Sequence, residues 1–226
     1  MKTKNRTLIL TCSERWWYKK TRKAFEDYEN IDFTSVLEVN SRDLSLYKKV
    51  ILDGSFADEW KNTDFGSCLT EELSNILELY IFNGGIFIIS FDLNRDLSDF
   101  SGSLIFDNKT SNFPFDYSVR IGESMKSILW NPAISSSLKL QKMLFTVPIQ
   151  SRLTNSLYLK DYSNKWTVFC NDNNGRAIGL HCQCGKGKAL VLLDNISLVT
   201  KDTDGYEYKL YHHGHQIHRE FIISFK

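Results

Sequence analysis

Apolar positions in the first ninety residues fall into short runs separated by turn-forming residues. Thr7–Cys12, Phe33–Val39 and Val50–Gly54 read as strands, the last ending at Asp53-Gly54, where the chain must turn. Trp17–Tyr28 reads as a short helix rich in Lys and Arg. The clearest signal follows. Leu73, Ile76, Leu77, Tyr80 and Ile81 recur at helical spacing and form one apolar stripe. Thr70 is placed to cap that helix, and Glu71 and Glu72 lie near its positive N-terminal end. Asn83-Gly84-Gly85 supplies left-handed conformers to stop it. Ile86–Ile89 is uniformly apolar, as a central strand covered on both faces should be.

Beyond Phe91 the pattern loosens, with loops around Phe100–Ser103 and Ser111–Pro114 and short strands around Leu104–Phe106 and Tyr117–Ile121. From Leu144 the character is β: Phe145–Val147, Ser156–Leu159, Trp166–Cys170, Ala177–Cys182 and Ala189–Leu193. Tyr206–Phe225 reads as a closing helix. Alternating strands and helices predict right-handed βαβ units. The expected fold is α/β, a largely parallel central sheet flanked by helices, with extra strands in the C-terminal half. No repeat or linker divides residues 1–226, so one domain is expected.

Composition narrows the classes. Lys+Arg 28 against Asp+Glu 27 leaves a net charge of +1, so no global field favours nucleic acid. The apolar runs are too short for a bilayer span, which needs about 20 residues. The N-terminal run Thr7–Thr11 is too short for a signal-peptide core. Five cysteines (Cys12, Cys68, Cys170, Cys182 and Cys184) do not resemble a secreted disulfide framework, and reduced cytoplasmic thiols fit better. The Asn-x-Ser/Thr sequons are then chance matches.

Three features in this order resemble the class I glutamine-amidotransferase-like superfamily: the apolar strand ending in Asp53-Gly54, the helix-Gly84-Gly85-strand unit, and Ala177-Ile178-Gly179-Leu180-His181-Cys182-Gln183-Cys184-Gly185-Lys186-Gly187-Lys188-Ala189-Leu190-Val191-Leu192. The last segment looks most like the amino-terminal domain of biotin-protein ligases. The resemblance implies a flavodoxin-like fold and, in active members, a Gly-x-Cys-x-Gly turn after the central strand. Here that strand runs into Ser90-Phe91-Asp92-Leu93. A nucleophile elbow needs small neighbours because its strained turn brings strand and helix close together. Active relatives also place a His and an acid after the last strand, where this chain reads Leu193-Asp194-Asn195-Ile196-Ser197-Leu198. A triad needs a base within hydrogen-bond reach of its nucleophile. The resemblance therefore implies a scaffold without its catalytic residues, serving as an interaction or regulatory module for a protein or small-molecule partner, with no cofactor. Ser90 and Asp92 remain the candidates for a hydrolase-type cleft, with Asp53 and Glu14 beside them.

Open α/β sheets bind ligands at the carboxyl ends of their strands. Trp16 and Trp17, after the first strand, are candidate partner-binding or sugar- or peptide-binding residues, or pack under the adjacent helix. Asp53, Gly54 and Ser55, with Ser90 and Asp92, complete the expected vestigial cleft. His212, His215 and His218 are candidate metal ligands; without a carboxylate partner, a polar helix face is favoured. His181, Cys182 and Cys184 lack the usual zinc spacing, and the two cysteines read as small core residues. Gly185-Lys186-Gly187-Lys188 opens a strand rather than a helix, so it reads as a tight turn and not a phosphate loop. Cys68 precedes a helix start, but no histidine pairs with it.

Overall fold

A computed structural model of the chain describes residues 6–11, 22–35, 38–39, 44–54, 71–91, 114, 116–123, 127–130, 146–148, 155–193 and 221–226. The strands are β1 (Thr7–Thr11), β2 (Ile31–Ser35), β3 (Lys49–Gly54), β4 (Ile86–Phe91), β5 (Ser118–Glu123), β6 (Ser127–Trp130), β7 (Thr146–Pro148), β8 (Asn155–Lys160), β9 (Thr167–Asp172), β10 (Ala177–Cys184) and β11 (Gly187–Leu193). Among the described residues, the helix α1 (Glu71–Phe82) lies between β3 and β4.

All eleven strands join one sheet whose main path is β2-β1-β3-β4-β11-β10-β9-β6-β7. The run β2-β1-β3-β4-β11 is parallel throughout. From β10 onward the pairing turns antiparallel. The sheet is therefore mixed rather than largely parallel. The physical reason is connection length: tight turns such as Gly185-Lys186 can join only antiparallel neighbours. The predicted flanking helices are few among the described residues. Of Trp17–Tyr28, residues 22–24 are helical, and of Tyr206–Phe225, residues 221–224. The predicted strand at Leu104–Phe106 lies outside the described residues, and β6 was not predicted.

β8 pairs with β5 along its whole length and touches β10 at Ala177, whose other side is taken by Asn171 of β9. A strand has two edges, so β8 occupies the β11 side of β10, beyond the carboxyl end of β11. The ribbon is pinned at Asp161, which accepts from Ser118 Oγ at 2.7 Å and Arg120 at 3.1 Å. These two donors hold the Asp161 carboxyl below the usual range.

The helical stripe behaves as predicted. Leu73, Leu77, Tyr80 and Ile81 are buried, while Leu79 and Phe82 on the opposite side are exposed. Gly84, with φ +106°, ends the helix. A Cβ on Gly187 would sit 2.1 Å from the Ile81 carbonyl oxygen, so glycine is what lets the start of β11 approach α1. Gly187 alternates with Ala189 and Val191, which places α1 on that face. The other face carries Ile9, Ile51, Ile88 and Leu190 in one row across the sheet. The segment Phe221–Lys226 packs on this second face. Phe221 meets Phe169 at a ring distance of 5.3 Å, and Lys49 Nζ donates to the carbonyl oxygens of Ile222 and Ile223. Among the described residues, no helix is long and apolar enough to cross a membrane.

Candidate functional site

The order β2-β1-β3 reverses direction between β1 and β3. In open α/β sheets the crevice outside the carboxyl ends at such a reversal is where ligands bind. The strands that end there share a local pattern: Leu8-Ile9-Leu10-Thr11, Val50-Ile51-Leu52-Asp53 and Phe87-Ile88-Ile89-Ser90 each run three apolar residues into one polar residue.

Strand register turns these three endings into one row. Thr11 pairs with Ser35 on β2. Leu10 pairs with Leu52, so Thr11 falls beside Asp53. Asp53 pairs with Ser90, and Ser90 with Leu192 on β11. In-register neighbours share a face. Ser35, Thr11, Asp53 and Ser90 thus form a polar row, one pleat beyond the apolar row Ile9, Ile51, Ile88 and Leu190. Thr11, Asp53 and Ser90 are each 0% exposed. The Thr11 Oγ1 is buried without a hydrogen-bond partner. Such a hydroxyl costs stability unless something meets it.

Of the sequence-predicted cleft, Asp53 and Ser90 come together in this row, and Gly54 lies opposite Phe91 one position later. Trp16, Trp17, Ser55, Asp92 and Glu14 lie outside the described residues, as do His212, His215, His218 and Cys68. Thr11 was missed because it sits in an apolar run; the repeated apolar-apolar-apolar-polar ending was the available signal.

Ser90 does not stand on a turn. β4 continues through Phe91, in register with Gly54 on β3 and Leu193 on β11. The non-glycine residues with positive φ among the described residues are Asn30 and Asp161, neither at this strand end. His181 shares the face of Ser90, because it pairs with Leu190 of β11. Strand spacing and rise set its backbone about 12 Å from that of Ser90, beyond hydrogen-bond reach. Its imidazole instead packs against Phe169. Burial, aided by the Lys188 charge, holds it below the usual histidine range.

Cys182 and Cys184 point to the face opposite His181 by strand alternation, and both are buried. Burial, with Cys184 close by, pushes the Cys182 thiol up to about 12. Among the described residues, no group of three or more His, Cys, Asp or Glu is placed to hold a metal ion.

No protein-family model and no curated protein matches the chain. Solved structures do. A cytoplasmic protein from Salmonella typhimurium LT2 matches with a TM-score of 0.60 at 10% identity, over 98% of this chain and 99% of that one. A glutamine amidotransferase from Thermotoga maritima matches with a TM-score of 0.51 at 16% identity, over 86% and 77%. The fold is amidotransferase-like. A cold-adapted β-galactosidase from Rahnella sp. R3 also matches, with a TM-score of 0.54 at 11% identity over 98% of this chain but 30% of its own. The amidotransferase-like fold therefore occurs alongside more than one chemistry, and activity must be argued from the site.

Proposed function

We propose that this chain is a non-catalytic amidotransferase-like domain that acts as an interaction or regulatory module, related to the amino-terminal region of biotin-protein ligases. One observation carries the reading: Ser90, at the position expected of the nucleophile, is a buried strand residue in unbroken register rather than the exposed tip of a strained elbow. The fold neighbours supply the scaffold. The Gly185-Lys186 turn between β10 and β11 supplies the ligase-like segment. A cytoplasmic setting accords with the buried thiols of Cys170, Cys182 and Cys184, none of which is in a disulfide.

A glutaminase and esterase assay of the purified chain tests this directly. No turnover is expected. Turnover abolished by Ser90→Ala would overturn the reading. A tagged pull-down from the native source, read by mass spectrometry, then looks for a stoichiometric partner, with Trp16→Ala/Trp17→Ala as the control.

A second reading, a hydrolase using Ser90 with Asp53, is favoured by their register contact on adjacent strands. The full burial of both residues and the position of His181 weigh against it.

A further inference from the structure

We propose that the rim at the amino ends of β3, β4 and β11 is a docking surface for a protein segment in which acidic side chains are interleaved with large apolar ones. The inference rests on the reading of this chain as an interaction module and names the surface and the chemistry of its partner.

Large apolar side chains exposed singly need no explanation, but a group of them rimmed by polar residues marks an interaction site. Among the described residues three are exposed: Leu46 at 60%, Leu79 at 59% and Phe82 at 44%. All three belong to this rim. Leu79 and Phe82 are neighbours on the outer side of the last turn of α1. Leu46 comes from the segment that enters β3. Tyr80 fastens that segment to α1, its hydroxyl donating to the Tyr47 carbonyl oxygen at 3.3 Å.

Lysines lie beside these side chains. Lys48 Nζ donates to the Gly84 carbonyl oxygen at 3.0 Å, and the Lys186 backbone N–H donates to the Phe82 carbonyl oxygen at 3.1 Å. A Cβ on Gly84 would sit 3.7 Å from that of Lys186, so Lys48, Gly84 and Lys186 form one continuous edge. Lys188 Nζ donates to the main-chain oxygen of Lys226, which brings Lys226 to the same end of β11. Lys48, Lys186 and Lys226 are exposed, and none forms an ion pair with a described residue. Glu78, half-buried one turn before Phe82, pairs with none of them. Their positive field reaches inward. The Lys226 charge adds to burial in lowering Lys49, and the Lys188 charge adds to burial in lowering His181.

This combination selects the partner. The backbone N–H groups of Gly84, Gly85 and Lys186 all donate to carbonyls of α1, so the rim has no amide cradle for a small phosphate. Anionic groups are met here by ammonium groups, while apolar ones cover Leu46, Leu79 and Phe82. An anionic lipid surface takes clusters of about four to eight basic residues, more than the three exposed lysines here. A net charge of +1 is short of the basic stripe that tracks a nucleic-acid backbone. A protein segment with Asp or Glu set between Leu, Phe or Trp satisfies both parts of the rim: its acids face the lysines, and its apolar side chains bury the exposed ones.

The test pans a phage-displayed library of short random peptides on the full chain and measures the enriched peptides by isothermal calorimetry. The enriched sequences are expected to combine Asp or Glu with Leu, Phe or Trp. Lys48→Glu/Lys186→Glu and Leu46→Ser/Leu79→Ser should each weaken their binding about tenfold or more. All four positions are exposed, so both variants should melt with the wild type; Lys186→Glu/Lys226→Glu gives a second charge reversal that leaves the Lys48–Gly84 bond intact. An absence of enrichment overturns the proposal, as do enriched peptides that are neutral or basic, or binding that survives the substitutions. Co-sedimentation with phosphatidylserine-containing vesicles in the absence of peptide binding would assign the rim to a membrane surface instead. Glutaminase turnover would sink the non-catalytic reading whatever the peptides do, and failure of the peptides leaves that reading standing, so the two failures are distinguishable.

Discussion

The side-chain amine of Lys49 lies 2.8 Å from the carbonyl oxygen of Ile222, 173 residues away along the chain. Lys49 is buried, and its second bond reaches the carbonyl oxygen of Ile223 at 2.5 Å. Lys188 repeats the arrangement, donating to the main-chain oxygen of Lys226 across the Phe225 ring. Two lysines on the parallel strands that flank β4, β3 and β11, thus tie down the segment Phe221–Lys226, whose last helical carbonyls lie at a helix end.

This burial makes stability depend on pH. Burial first, and the Lys226 charge second, bring Lys49 from its ordinary 10.5 down to about 7. Between those values the unfolded chain binds a proton that the folded chain does not, so stability rises with pH. Below about 7 both states are protonated, and the full penalty applies. At 1.36 kcal/mol per pH unit the change across the window is at most about 5 kcal/mol. Urea midpoints of wild type and Lys49→Met between pH 6.5 and 9 isolate it. The wild type should gain stability relative to the variant as pH rises, and parallel curves would refute the assignment.

Gly187 lies where β11 meets the end of α1. Gly187→Ala forces a methyl group against the Ile81 and Gly85 carbonyl oxygens, at 2.1 and 2.2 Å. Neither is a flexible side chain, so the backbone must shift. A loss of roughly 2–3 kcal/mol is expected from urea unfolding. A substitution within experimental error of wild type would show that this contact is loose.

The β9–β10 turn is built on Asp172, fully buried. Its carboxylate accepts from the backbone N–H groups of Asn174 at 2.9 Å and Arg176 at 2.8 Å, and from Arg176 Nε at 2.6 Å. Arg176 also stacks over Tyr158 and donates to the Glu123 carbonyl oxygen, joining the turn to the β5–β8 ribbon. Asp172→Ala strands a half-buried guanidinium and should cost about 3 kcal/mol, whereas Asp161→Ala, at the exposed Arg120 pair, should cost about 1 or less. Equal effects would contradict this ranking.

The thiols of Cys182 and Cys184 are buried and held above the ordinary range. Neither should react with iodoacetamide at pH 8 in the native protein, and both should react in denaturant. Peptide mass spectrometry reads the outcome. Native labelling at Cys182 would mean that the β10–β11 pair opens readily.

Much of the parallel half was legible because its signals are local. The α1 stripe, the stop at Gly84 and the apolar run of β4 each depend on residues within a few positions of one another. The α/β class followed from their alternation. The antiparallel half was legible as strands but not as a sheet, because pairing partners are set by turn length and by bulges such as the shift between Ala177 and Gly179. β6 was invisible because Ser127–Trp130 has neither alternation nor a long apolar run.

The sequence by itself determined where most of the strands lie, which helix face is buried, and that Ser90-Phe91-Asp92-Leu93 is no Gly-x-Cys-x-Gly turn. Only the tertiary structure decided that Thr11, Asp53 and Ser90, each a lone polar residue after three apolar ones, stand side by side. Strand register is a property of three separate segments brought together. A shift of one residue in any of them would have turned its polar residue to the opposite face.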